Sequence, residues 1–224
     1  MIKLCIFDLD GTILSTLTTI THYVNETLQK YGLSPISEAE CSTFVGNGAR
    51  KLITCAAECR GVSGEVKISE MFSCYNAAYN ASPYYLTEVY PGIRELIDAL
   101  KERGIALAVL SNKPDFATRA TVSHFFGDSF DMALGGREGI PLKPDAESAA
   151  AIFSHFGVLP TEVAFIGDSE VDVTTAKNIG AALGIAVSWG LRDRKQLLIS
   201  GAEHIAESPD EVLKMIDKYN KLGV

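Results

Sequence analysis

No stretch of this chain stays apolar for the roughly 20 residues that a bilayer-spanning helix needs. Its start shows no succession of basic, apolar and small residues of the kind that makes a secretory leader. Positive charge is scarce, with 20 Lys and Arg against 28 Asp and Glu, a net charge of −8 and a pI near 5.0. That balance disfavours a nucleic-acid binder, which needs a basic face to neutralise phosphates. It leaves room for a small phosphorylated ligand, because one or two lysines and a metal invert the field locally. No C-x-x-C pair occurs among Cys5, Cys41, Cys55, Cys59 and Cys74. Cys55 and Cys59 are four apart in a helical pattern, and two thiols do not make a zinc site. Buried free thiols in a reducing compartment are the better reading. Neither a P-loop nor a G-x-G-x-x-G after a strand is present, which disfavours nucleotide binding. The expectation is a cytoplasmic protein, monomer or homodimer, that engages neither nucleic acid nor membrane.

What is present is an ordinary globular balance of 47% hydrophobic and 21% charged residues over 224 positions. That length suits one large domain or a core with a smaller companion. The stretch Leu4-Cys5-Ile6-Phe7-Asp8-Leu9-Asp10-Gly11-Thr12 organises the chain. Ile2 to Phe7, broken only by Lys3, reads as a strand buried on both faces. Asp8 and Asp10 are two apart and so share one side of its carboxyl end. Gly11 then permits a tight turn and close approach to a ligand. Paired carboxylates suggest a divalent ion or a shared proton, although Asp and Gly also make plain solvated turns.

After that strand, Leu17, Ile20, Val24, Leu28 and Tyr31 recur at helical spacing. Ser37-Glu38-Ala39-Glu40 is a capping box for a second helix. Val45-Gly46-Asn47-Gly48 interrupts the pattern, which resumes over 49–60 and again over 68–80. From about 14 to 84 the chain reads as all-helical, with no strand to join the opening sheet. The rhythm then becomes strand and helix in alternation: strands over 105–110, 130–134, 163–166 and 181–187, and helices over 114–126, 146–156 and 171–179. Ser208-Pro209-Asp210-Glu211 opens a last helix. Alternation of this kind implies a parallel, Rossmann-like sheet with helices on both faces, an α/β fold carrying an inserted α-helical cap. The division expected is 1–14 with 85–224 as the α/β core and 15–84 as the cap.

Three later segments carry chemistry. Ser111-Asn112-Lys113 sits where the second buried strand is expected to turn into a helix. A hydroxyl and free N–H groups there suit a phosphate, and equally a plain helix cap. Lys143-Pro144-Asp145 offers a compact cation for phosphate, or an exposed loop lysine. Gly167-Asp168-Ser169-Glu170-Val171-Asp172 ends a third apolar strand with carboxylates that suit Mg²⁺, or an acidic helix start. Four strand tips carrying these groups share one edge of a parallel sheet, where α/β folds bind ligands.

With these motifs, the chain resembles the haloacid dehalogenase superfamily of phosphohydrolases over its full length. Ser111-Asn112-Lys113, Gly135-Gly136, Lys143-Pro144-Asp145, Trp189-Gly190 and the Val45 to Gly48 loop are most similar to its phosphoglycolate phosphatase branch. Relatives often have Asp-Ser after the Asp-Gly-Thr turn, where Ser15-Thr16 stand here. The resemblance implies a Mg²⁺-dependent phosphomonoesterase acting on a small phosphorylated metabolite. By it, Asp8 is the nucleophile, and Asp10 is the general acid and base whose backbone carbonyl also ligates the metal. Ser111, Lys143 and backbone N–H groups near Gly11 and Asn112 hold the phosphoryl oxygens. Asp168 is a metal ligand, and Asp172 is either a ligand through water or an orienting group. Asn47, Arg50 and Lys51 on the cap are candidates for substrate choice or are simply solvated. A phosphomutase acting on a sugar phosphate uses the same paired aspartates, and a non-catalytic binding relative is the third reading.

Overall fold

The computed structural model describes residues 1–222. The elements run in the order β1 (Leu4–Phe7), β2 (Leu14–Ser15), α1 (Leu17–Lys30), α2 (Glu38–Phe44), α3 (Ala49–Glu58), α4 (Glu65–Ala81) and β3 (Glu88–Val89). Then come α5 (Ile93–Glu102), β4 (Ala106–Pro114), α6 (Asp115–Phe126), β5 (Met132–Gly136), α7 (Ala150–Phe156) and β6 (Val163–Gly167). The chain closes with α8 (Glu170–Asn178), β7 (Leu183–Val187), α9 (Arg194–Ile199), β8 (His204–Ala206) and α10 (Pro209–Lys221). Six strands form one sheet in the order β5-β4-β1-β6-β7-β8, every neighbouring pair parallel. β1 lies between β4 and β6 and is fully buried along its length.

Alternation on β1 divides its side chains between two apolar layers. Cys5 and Phe7 pack with Leu96, Leu100, Val212 and Ile216 from α5 and α10. Leu4 and Ile6 pack with Ile152 and Ala176 from α7 and α8. Burial on both faces is why this strand reads as an unbroken apolar run. A separate cluster, with Val24, Leu28, Leu52, Ile53, Met71 and Tyr75, joins α1 to α4. The Ser37 capping box forms as its sequence implies, the Glu40 amide donating to Ser37 Oγ at 3.2 Å and the Ser37 amide to Glu40 at 2.8 Å. At Ser208 only half of the expected box forms: its hydroxyl accepts from the Glu211 amide, while the Glu211 carboxylate takes the Glu207 amide instead.

Other expectations also differ from the structure. β2 and β3 pair antiparallel as a two-residue ribbon on either side of the helical block, where no strand was anticipated. Two residues are too short for a periodic signal, so no pattern announces them. Ser111-Asn112-Lys113 also continues β4 rather than opening a helix; the register shifts between Leu110 and Pro114, and α6 begins only at Asp115.

Candidate active site

The carboxyl ends of β1, β4 and β6 converge with the loop before α7 on one buried cluster. Asp8 follows β1, and Asp168 and Asp172 flank the start of α8. Oxygens of these three carboxylates all lie within 4.8 Å of one another. Lys143 is 4% exposed and bridges two of them, its Nζ 2.6 Å from Asp8 and 2.7 Å from Asp172. Thr12 Oγ1 at 3.1 Å and the Leu191 amide at 2.6 Å donate to Asp168. The Ser169 hydroxyl and amide donate to the far oxygen of Asp172 at 2.6 and 3.1 Å.

Electrostatics follow from burial. Loss of water pushes the Asp8 carboxyl up to about 7, with Lys143 pulling it down and Asp172 and Asp10 adding to the rise. Burial, followed by Asp172 and Asp8, raises Asp168 well above the ordinary carboxylate range. Burial alone would lower Lys143, but Asp172 and Asp8 overcome it and hold the ammonium above the ordinary lysine value. Three buried carboxylates thus face one ammonium. Hard oxygens in this number, with charge left uncompensated, fit a divalent cation such as Mg²⁺.

Asp10 points elsewhere. Its two oxygens lie 3.0 and 3.2 Å from Lys113 Nζ, which also donates to the Tyr79 hydroxyl of α4 at 2.6 Å. Its carboxylate is therefore not part of the three-carboxylate group. Burial would lower Lys113, yet Asp10 and Tyr79 hold it above the ordinary lysine value. Ser111 is buried and accepts from the Lys113 amide at 3.2 Å. The Asn112 side chain donates to Gly46 O at 2.8 Å and to Lys143 O at 2.9 Å, and accepts from the Lys143 amide at 2.8 Å. Asn112 thus spans the Gly46 loop and the Lys143 loop with its side chain. Gly11 has φ +93°, and a Cβ there would run into the Asp168 carboxylate, so the turn next to the cluster requires glycine.

These groups open on a cavity of about 70 Å³ between the sheet edge and the helical block, lined by Asp8, Asp10, Ser111, Lys113, Lys143 and Asp168 on one side. Ile20, Val45, Leu52, Tyr75, Asn76 and Asn80 line the other. The structure brings Asp8, Asp10, Ser111, Asn112, Lys143, Asp168 and Asp172 to this cavity. It does not bring Asn47, Arg50 or Lys51 there. Arg50 pairs with Glu65, donates to Ser69 at 3.0 Å and lies over the Phe72 ring, while Asn47 and Lys51 are exposed. The reason is helical phase: Ala49 and Leu52 take the inward side of α3, which turns its charged residues outward.

Sequence reasoning missed Lys113, Tyr79 and Arg192. Lys113 stood inside a motif but received no role, and Tyr79 lies on a stripe that reads as ordinary core. Arg192 is 7% exposed; it pairs with Glu170 at 2.7 and 3.0 Å and donates to Ser42 O at 2.6 Å and Val45 O at 3.4 Å. Those carbonyls close the carboxyl end of α2, where backbone acceptors lack helical partners. In the same loop the Trp189 indole donates to Thr12 O at 3.0 Å. The 189–192 loop thus ties Asp168, the turn after β1 and the helical block together. Only the Trp189-Gly190 pair gave any signal for it.

The sequence profile of the haloacid dehalogenase-like hydrolases matches residues 5–186. The phosphoglycolate phosphatase of Rhodospirillum rubrum is 33% identical over 196 residues, 85% of this chain and 81% of that protein. The phosphoglycolate phosphatase of Cereibacter sphaeroides is 37% identical over 180 residues, 78% of this chain and 80% of that protein. Among solved structures, a predicted phosphoglycolate phosphatase from Haemophilus somnus superposes with a TM-score of 0.89 at 27% identity, covering 96% of this chain and 98% of the other.

Proposed function

The chain belongs to the haloacid dehalogenase-like hydrolase family and is a phosphatase, and from that premise we propose a Mg²⁺-dependent phosphomonoesterase that works through an aspartyl phosphate on Asp8. The observation that carries this reading is Asp8 itself. It sits at the tip of the central strand, 2.6 Å from Lys143, within a buried group of three carboxylates. Residues 1–14 and 85–224 act as the catalytic core in this reading, and 15–84 as the cap.

A carboxylate oxygen of Asp8 forms a bond to phosphorus as the bond from phosphorus to the ester oxygen breaks. Asp10 gives its proton to the departing oxygen. Asp10 then takes a proton from a water whose oxygen attacks phosphorus, and the bond to Asp8 breaks to release inorganic phosphate. Before ester binding, Lys113 sits on both Asp10 oxygens. A dianionic ester competes for that ammonium, which frees Asp10 to carry a proton. Ser111, Lys143 and the backbone N–H groups at Gly11 and Asn112 orient the phosphoryl oxygens. Asp8, Asp168 and Asp172 would hold Mg²⁺, with the Asp10 carbonyl as the family resemblance implies. Bound there, the ion supplies positive charge that favours ionised Asp8 and neutralises phosphoryl oxygens.

The substrate in this reading is a small phosphorylated metabolite, and the phosphoglycolate phosphatases among the relatives make phosphoglycolate the natural reference ester. The test is release of inorganic phosphate from small phosphomonoesters with Mg²⁺ and with chelator. Mg²⁺-dependent release is expected. Isomerised ester without free phosphate, or release unaffected by chelator, would overturn the reading.

A further inference from the structure

The half of the cavity away from the carboxylates is where the leaving group must lie, since phosphorus has to meet Asp8. Its walls are neutral. Ile20, Val45 and Leu52 supply apolar surface, and Tyr75, Asn76 and Asn80 supply polar atoms without charge. The amides of Asn76 and Asn80 make no hydrogen bond to any described residue, nor does the Tyr75 hydroxyl, so all three are free for a ligand.

The cations among the lining residues are two: before ester binding each is held by carboxylates, and in the reading above both turn to the phosphoryl oxygens once the ester binds. Lys143 is shared between Asp8 and Asp172, and Lys113 between Asp10 and Tyr79. They face four carboxylates, Asp8, Asp10, Asp168 and Asp172. With Lys113 and Lys143 drawn to the phosphoryl group and to Asp8, Asp10 and Asp172, no cation among the lining residues is left for a carboxylate on the leaving group, which disfavours one there. Arg50 on the cap turns to Glu65, Ser69 and the Phe72 ring and does not line the cavity.

Resting on the phosphomonoesterase reading above, we infer that the leaving group is a small uncharged polyol or hydroxycarbonyl alcohol, held by the Asn76 and Asn80 amides, rather than the carboxylate-bearing glycolate. An amide is both donor and acceptor, so it satisfies a hydroxyl in either sense. A carboxylate accepts only, so it would use the N–H donors and leave the amide carbonyl oxygens facing its negative charge.

The experiment compares kcat/KM for phosphoglycolate, its neutral amide, 2-hydroxyethyl phosphate and glycerol 1-phosphate, with p-nitrophenyl phosphate as a general phosphatase substrate, all with Mg²⁺. The neutral esters should exceed phosphoglycolate by about ten- to a hundredfold, the range set by one unsatisfied buried polar group. Asn76→Arg should narrow or reverse that ratio by supplying the missing cation. Phosphoglycolate equal to or better than every neutral ester, with p-nitrophenyl phosphate turned over, overturns this inference and leaves the phosphatase standing. No release from any ester by folded protein overturns both.

Discussion

Lys143→Met removes the one ammonium that joins two buried carboxylates, while keeping a side chain of similar length over the Phe165 ring. In the wild type its Nζ lies 2.6 Å from Asp8 and 2.7 Å from Asp172, with all three residues nearly inaccessible. Breaking a buried pair by deleting one partner costs about 3–5 kcal/mol. For a chain of this length that is a fall in Tm of roughly 6–20 °C. The loss should depend on pH, and the sign follows from Asp8. Its carboxyl is raised from 3.8 to about 7, so between those values the folded state holds a proton that the unfolded state has released. That contribution is complete below about pH 4 and is lost as pH rises through about 7. Without Lys143 the carboxyl rises further, so the variant's deficit is large at pH 8 and shrinks by pH 5, where Asp8 is neutral. Urea denaturation of both proteins in chelator, at pH 8 and pH 5, measures this. An equal deficit at both pH values, or none at pH 8, would refute the electrostatic reasoning.

Gly190→Ala would drive a Cβ into Gly11 O and the Asp168 side chain. It should cost about 1–3 kcal/mol by overpacking and weaken Mg²⁺ binding measured by calorimetry; unchanged binding would contradict the contact. Arg192→Ala breaks the pair with Glu170 and the bonds to Ser42 and Val45, and should raise KM more than it lowers kcat. A selective fall in kcat would argue against a tie between loop and cap. Tyr79→Phe deletes the hydroxyl on Lys113, so kcat should fall roughly tenfold for alkyl esters and less for an aryl ester that needs no protonated leaving oxygen. Equal losses for both would place Tyr79 outside the control of Asp10.

The sheet was legible because its chemistry is local. Each apolar run names a buried strand, so Asp8 and Asp168 stand out at strand tips, while Ser111 and Lys143, ordinary as a cap and a loop lysine on their own, gained roles only from the motifs taken together and the family resemblance. What escaped depends on distance along the chain. Arg192 meets Ser42 across 150 positions, and Tyr79 meets Lys113 across 34; no periodicity encodes either contact. Arg50 and Lys51 show the converse, since their charge drew attention while the phase of α3 turns them away from the cavity. The β2–β3 ribbon and β8, at two and three residues, are too short to rise above loop.

Asp8 as the covalent nucleophile is tested most directly by trapping. In Asp10→Asn protein, water attack on the phosphoenzyme loses its base, so acid quench after mixing with p-nitrophenyl phosphate and Mg²⁺ should leave one phosphoryl group on the protein. Mass spectrometry should place it on the peptide containing Asp8, labile to hydroxylamine, and Asp8→Asn should show neither adduct nor turnover. Phosphate release by folded Asp8→Asn at a rate near wild type would contradict it.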